Sequence, residues 1–226
     1  MKDSLGIVGG LGPLASSYLY ELITKSTKAN KDQQHLNIIL LSHSSIPDRT
    51  SYILDNTKES PYPYLLEDCK LLEKLGCKMI VIPCNTSCYF HKDLQKNISI
   101  PINNMVNDTV KYVYDKGFKK VMLLATTGTI KSRLYQNELS KYNIEYILPN
   151  QNKVMSLIYD YVKTGKKVSM NLWNNTISNA NVDAYILGCT ELSVIKKDLN
   201  LNNNFIDPLE VETEIVLNYF DKERNM

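Results

Sequence analysis

The chain predicts an α/β fold of two pseudo-symmetric domains, each a mainly parallel four-stranded sheet flanked by helices. Short apolar runs alternate with longer helical patterns over almost all of the 226 residues, the rhythm of strand, crossover helix and parallel strand. Two of the runs, Met79-Ile80-Val81-Ile82-Pro83 and Ala184-Tyr185-Ile186-Leu187-Gly188, end in a cysteine with a threonine close behind, giving Cys84-Asn85-Thr86 and Cys189-Thr190. Other landmarks also recur by halves. Gly6-Ile7-Val8-Gly9-Gly10 has a counterpart in Val121 to Gly128, and Ile100-Pro101-Ile102 precedes a helical stretch as Phe205-Ile206-Asp207-Pro208 does.

Taken in order, Ser4 to Gly9 reads as a buried strand, short and apolar up to a glycine turn. Leu14 to Lys28 follows as a helix, with Pro13 at its first position. Leu36 to Leu41 is the second strand. Tyr64 to Leu75 is a helix stopped by Gly76, the residue that adopts a left-handed cap most readily. Met79 to Pro83 and Ile100 to Ile102 complete the first sheet. Val106 to Lys116 is a helix closed by Gly117, and Val121 to Ala125 opens the second sheet, joined by Glu145 to Leu148, Ala184 to Leu187 and Phe205 to Ile206. Val154, Leu157, Ile158, Tyr161 and Val162 recur at helical spacing, so an amphipathic helix ending at Gly165 is expected, with Lys163 near its last turn. Leu209 to Phe220 is a final helix, expected to pack back on the first half. The domains are then residues 1–101 with 207–226, and 102–206.

Composition narrows the function. A formal charge of +2, with lysines scattered among acidic residues, gives no electrostatic footprint for nucleic acid. No apolar stretch approaches the ~20 residues that span a bilayer, and Met1-Lys2-Asp3-Ser4 has no leader character, so a cytoplasmic protein with no membrane partner is expected. The five cysteines are odd in number and lack CxxC spacing, which fits free thiols in a reducing compartment. Three histidines without ligand spacing argue against a metal site.

Parallel strands deliver their carboxyl ends to a ligand crevice. Cys84 and Cys189 sit at such ends, each where a helix begins, and a helix N-terminus lowers a thiol from its usual pKa of about 8.5. Cys69 and Cys77 instead read as core. The loop of Gly9, Gly10 and Gly12 lacks both the GxGxxG and the Walker pattern and suits anchoring of a small carboxylate. Arg49, in Pro47-Asp48-Arg49-Thr50 after the second strand, can hold a carboxylate with two parallel hydrogen bonds. Two opposed thiols suit removal of a proton from one face of a carbon and return of another to the opposite face. Sulfurs flanking one carbon stand roughly 7 Å apart, beyond disulfide reach.

Gly9-Gly10-Leu11-Gly12-Pro13, Pro47-Asp48-Arg49-Thr50, Pro83-Cys84-Asn85-Thr86, Leu124-Ala125-Thr126-Thr127-Gly128-Thr129 and Gly188-Cys189-Thr190-Glu191 together resemble the pyridoxal-independent aspartate/glutamate racemase family, from the first strand to Asp207-Pro208. The resemblance implies two α/β domains with the substrate between them, a homodimer, no cofactor, and interconversion of L- and D-aspartate or glutamate. Cys84 and Cys189 take the place of the paired catalytic cysteines. Arg49, Asn85, Thr86, Ser87 and Lys163 match substrate-binding positions, and Gly10, Thr127 and Thr190 join them as contacts to a dicarboxylic amino acid. One departure is Cys88, where many relatives carry histidine; core packing is the preferred reading of it. Two other readings are a non-catalytic protein that binds acidic ligands, and a Cys-His hydrolase in which His35, His43 or His91 meets a cysteine. A racemase for another amino acid is a further alternative.

Overall fold

The computed structural model describes residues 3–177, 180–202 and 204–225. In the first half, β1 (Ser4–Gly9) leads through α1 (Pro13–Ser26) to β2 (Asn37–Ser42), then α2 (Arg49–Leu54), α3 (Tyr62–Lys74) and β3 (Cys77–Val81). A 3-10 helix (Asn85–Phe90), α4 (His91–Gln95) and α5 (Met105–Asp115) follow. The second half runs β4 (Lys120–Ala125), α6 (Thr127–Lys131), α7 (Leu134–Lys141), β5 (Glu145–Ile147), α8 (Gln151–Ser156), a π-helical turn (Leu157–Tyr161), a 3-10 turn (Val162–Thr164) and α9 (Met170–Ile177). It closes with β6 (Ala184–Gly188), α10 (Thr190–Leu199), β7 (Phe205–Ile206) and α11 (Pro208–Tyr219).

Both sheets are parallel, ordered β2-β1-β3 and β5-β4-β6-β7. Superimposing β1 on β4 brings β2 onto β5 and β3 onto β6, so the two cysteine-bearing strands are equivalent. The first sheet has three strands where four were expected. Ile102 contributes only a one-residue parallel bridge to Ile80. Ile80 donates to the Pro101 carbonyl (2.9 Å) and Asn103 donates to the Ile80 carbonyl (2.8 Å), and Pro101, with no N–H of its own, cannot extend the ladder.

Burial explains the strands. Every residue of β1 is buried, as are five of the six in β4, which is the pattern of a sheet covered on both faces. Gly76 and Gly117 adopt φ of +87° and +77° just past α3 and α5, as left-handed caps require. Helix α11 lays Leu209, Val216 and Leu217 against Leu5, Ile7, Leu19 and Met79, while its Val211 packs with Val106, Val110 and Val113. We propose that residues 1–101 with 207–226 form one domain and 102–206 the other, with α11 packed against elements of both. The halves touch closely at Gly128, where a Cβ would lie 2.8 Å from the Thr50 Cα.

The expected amphipathic helix before Gly165 is not uniform. It begins as α8, with Asn150 Oδ1 accepting from the Lys153 N–H, and widens into the π turn before tightening to 3-10 at Lys163. Val154, Leu157, Ile158 and Val162 are buried as their spacing requires. The wider turn carries Tyr159 to the crevice along with Lys163, a placement typical of π bulges at functional sites.

Candidate active site

Each cysteine is the last extended residue before a helix. Cys84 (φ −153°, ψ 106°) caps the 3-10 helix and Cys189 (φ −146°, ψ 129°) caps α10. They are 7% and 6% exposed, and all five cysteines are free thiols. Both line one inner cavity of about 10 Å³, with Asp48, Arg49, Tyr159, Lys163 and Glu191 around it. That volume is of the order that one water needs. A second chamber of about 490 Å³ shares Leu11, Asp48, Arg49, Lys163 and Glu191 with it and extends along the glycine loop.

The charges around the two sulfurs differ. Arg49 is buried and its positive charge faces Cys84. Three of its hydrogen bonds go to main-chain carbonyls, from Nη1 to Ile46 (3.3 Å) and Pro47 (3.1 Å) and from Nη2 to Leu11 (2.9 Å). Its Nε is enclosed without a partner. The fork expected for a carboxylate is therefore largely engaged in fixing the loop, leaving the Nε edge free. On the other side the Cys189 thiol donates to Glu191 Oε2 at 2.9 Å. Burial pushes the Cys189 thiol well above its ordinary value, and the adjacent Glu191 adds to this. The lowering expected from the helix N-terminus is overturned at this residue, because enclosure and a carboxylate outweigh the backbone dipole.

Lys163 bridges the groups. Its Nζ is 3.7 Å from Asp48 Oδ2 and 3.9 Å from Glu191 Oε1, and it lies 4.1 Å from the centre of the Tyr159 ring. Burial works against its charge, but Glu191, Tyr159, Cys189 and Asp48 together raise its pKa. Tyr159 donates to Asp48 Oδ2 (3.2 Å), while Asp48 Oδ1 caps α2 at the Ser51 N–H (2.7 Å). Gly12 lies against this group, since a Cβ on it would stand 2.9 Å from Glu191 Oε1 and its φ is +143°.

Of the residues marked from sequence, Cys84, Cys189, Arg49, Thr86 and Lys163 meet at the inner cavity. Thr86 belongs to a buried hydroxyl cluster with Thr126 (3.2 Å) and Thr129 (2.9 Å), to which Thr50 also bonds through Thr126. Thr127 does not line the cavity. Its N–H is directed at Met155 Sδ (3.3 Å), and Thr126, which caps α6, stands in its place. Gly10 lines the outer chamber, but its N–H is used by Ser16 Oγ (3.1 Å); the absence of a side chain lets it pass the His43 backbone, 2.5 Å from an added Cβ. Thr190 Oγ1 donates to the Pro83 carbonyl (3.1 Å), tying one cysteine segment to the other. Asn85 and Ser87 are buried beside Cys84, with Asn85 Nδ2 and Ser87 Oγ lacking partners.

Cys88 faces the core around Val106 and Met105 rather than the cavity, and burial pushes its thiol up to about 12. None of the histidines reaches a cavity cysteine. His43 pairs with Asp68 (2.9 Å), His91 bonds the Ile102 carbonyl (2.8 Å) and His35 lines a separate surface pocket, so the hydrolase reading has no support. Among the described residues no group of three or more His, Cys, Asp or Glu side chains could hold a metal ion, and no helix is long and apolar enough to cross a membrane. Sequence reasoning missed Glu191, Asp48 and Tyr159 as cavity residues. The first two stood inside quoted motifs; Tyr159 gave no signal, because only the π turn brings it inward.

The family description Asp/Glu/Hydantoin racemase matches residues 8–216. The chain belongs to this racemase family. In sequence it is 29% identical over 173 residues to a glutamate racemase of Lysinibacillus sphaericus, spanning 68% of this chain and 64% of that protein. It is 25% identical over 212 residues to the broad specificity amino-acid racemase RacX of Bacillus subtilis, spanning 90% and 92%. Its backbone follows that of the Picrophilus torridus aspartate racemase with a TM-score of 0.87 and 32% identity, over 99% of this chain and 96% of that one. The glutamate racemase of Francisella tularensis, at 20% identity and a TM-score of 0.65, shares the fold.

Proposed function

We propose that the chain is a cofactor-independent racemase of an acidic amino acid, with aspartate the first substrate and glutamate the nearest competitor. One observation carries the reading: thiols from equivalent strands of the two halves line a single cavity, with a cation from each half beside them. One sulfur, as thiolate, takes the α-proton, and the other, as thiol, returns a proton to the opposite face; the roles exchange with direction. Cys189, whose proton is held by Glu191, is assigned the acid in the resting enzyme, which makes Cys84 the base. The free Nε edge of Arg49 and the Lys163 ammonium suit the two carboxylates, and positive charge aimed at the α-carboxylate stabilises the developing carbanion. The 32% identity to the Picrophilus torridus aspartate racemase over nearly the whole of both chains is what favours aspartate over glutamate.

Since the inner cavity holds little more than a water, substrate entry on this reading requires the Lys163 and Tyr159 contacts to Asp48 to part. Five free thiols fit a cytoplasmic setting, and a homodimer is proposed with it from the family likeness. Incubation with L-aspartate in D₂O tests the function: deuterium at Cα and appearance of D-aspartate are expected. Neither product across a panel of acidic and neutral amino acids would end the reading.

A further inference from the structure

We infer that Asp48 receives the α-ammonium of the substrate: its Oδ2, held in the empty site by Lys163 and Tyr159, is the acceptor that the ammonium takes when those contacts part. The inference rests on the racemase reading and adds which carboxylate pairs with the one cationic group of the substrate.

An acidic amino acid brings one ammonium and two carboxylates into a chamber whose charged walls are Arg49, Lys163, Asp48 and Glu191. Its carboxylates draw on Arg49 and Lys163, so the ammonium is left with main-chain carbonyls, Glu191 or Asp48. The carbonyls of Leu11, Ile46 and Pro47 are engaged by the Arg49 guanidinium, whose charge repels a second cation. Glu191 is engaged too: Oε2 accepts from the Cys189 thiol, Oε1 is enclosed, and the side chain is only 5% exposed. The Asp48 side chain is 33% exposed and lines both the inner cavity and the outer chamber. A ligand in the chamber reaches this carboxylate without disturbing the Cys189 proton.

Asp48 is also built to stay ionised. Burial works to raise its carboxyl, but the Ser51 N–H, Lys163 and Arg49 together hold it below its ordinary value. Oδ1 is committed to the α2 cap at the Ser51 N–H (2.7 Å). Oδ2 is the atom that accepts from Tyr159 (3.2 Å) and lies 3.7 Å from Lys163 Nζ. When Lys163 turns to a substrate carboxylate, Oδ2 loses its counter-charge, and a partly buried carboxylate left without one is destabilised. The ammonium restores that charge in the same movement. Two ion pairs thus exchange partners, Lys163 taking a carboxylate and Asp48 the ammonium.

Malate, which carries a hydroxyl where aspartate carries the ammonium, is the probe beside aspartate, and the binding of both is read by titration calorimetry at neutral pH. The wild type is expected to bind aspartate more tightly than malate. Asp48→Asn should erase that preference, weakening aspartate on the order of tenfold while malate binds as well as before or better. Asparagine keeps a cap for α2 and an acceptor for Tyr159. Asp48→Ser, which also caps, is the second variant, and thermal melting reports that each folds. Equal weakening of the two ligands would overturn the inference, and so would a preference for aspartate that survives both substitutions, which would send the ammonium to Glu191. No preference in the wild type, or no binding of either ligand, would overturn it as well. Cα exchange in D₂O is followed separately: a wild type that prefers aspartate to malate yet incorporates no deuterium would end the racemase reading and leave the Asp48 assignment to be decided by the binding data.

Discussion

Glu212 makes a pH-dependent liability that one substitution should remove. It lies on α11, 1% exposed, with Oε1 accepting from Asn103 Nδ2 (3.1 Å) and Oε2 enclosed without a partner. Burial pushes its carboxyl from the ordinary 4.5 up to about 8, the Asn103 bond opposing and Asp108 adding to the rise. A carboxyl raised in the folded state binds more protons there than in the unfolded chain. Its stabilising contribution is full below pH 4.5 and is lost as pH climbs through about 8. At about 1.4 kcal/mol per pH unit, that interval amounts to about 5 kcal/mol. Glu212→Gln keeps the acceptor for Asn103 and cannot ionise, so its contribution stays level. Denaturant unfolding from about pH 4 to about pH 9 should show wild-type stability falling relative to the variant, by several kcal/mol at the alkaline end. Asp207, pushed up to about 6 mainly by burial, acts in the same direction in both proteins and cancels from the difference. Parallel curves across the range would refute the reasoning and place Glu212 in contact with water.

Replacing Cys84 or Cys189 by alanine should each lower racemisation about 10²–10⁴-fold, read by chiral chromatography; a loss under about tenfold for either would remove that sulfur from the proposed pair. Glu191→Gln removes the carboxylate that holds the Cys189 proton, so alkylation of Cys189 by iodoacetamide at neutral pH, followed by peptide mass spectrometry, should accelerate. Equal or slower labelling would contradict the role given to Glu191. Gly128→Ala would set a Cβ 2.8 Å from the Thr50 Cα and 2.9 Å from its Oγ1, forcing the halves apart at a cost of about 1–3 kcal/mol. Calorimetry should register a lower Tm, and an unchanged Tm would show that the interface has slack.

The strand and crossover pattern was legible because burial on both faces of β1 and β4 leaves continuous apolar runs, and because Gly76 and Gly117 mark helix ends by a conformation few other residues tolerate. The cysteines were legible for the same reason, as each follows such a run. Charge partners were less so. Glu191 is two residues from Cys189, yet nothing in spacing says that its carboxylate turns back to accept from the thiol. Thr126 and Thr127 are indistinguishable as letters; which one faces the cavity is decided by the cap of α6. Ile102 shows the reverse case, an apolar residue in a strand-like run whose neighbour Pro101 leaves it a single bridge.

Equivalent strands place the two sulfurs alike, but the halves clothe them differently, with Arg49 facing Cys84 and Glu191 accepting from Cys189. On the proposed reading this difference has a strict limit. The two enantiomers of an amino acid have equal free energy in water, so the equilibrium constant is one and kcat/KM must be the same in both directions. A proton favoured on Cys189 therefore cannot make the enzyme prefer one enantiomer in kcat/KM. It can only raise kcat and KM together for the enantiomer that meets the disfavoured form and lower both for the other. On that reading the repeated strand order would supply matched positions for two opposite proton transfers, and the unmatched charges would decide which of the two singly protonated forms waits for substrate.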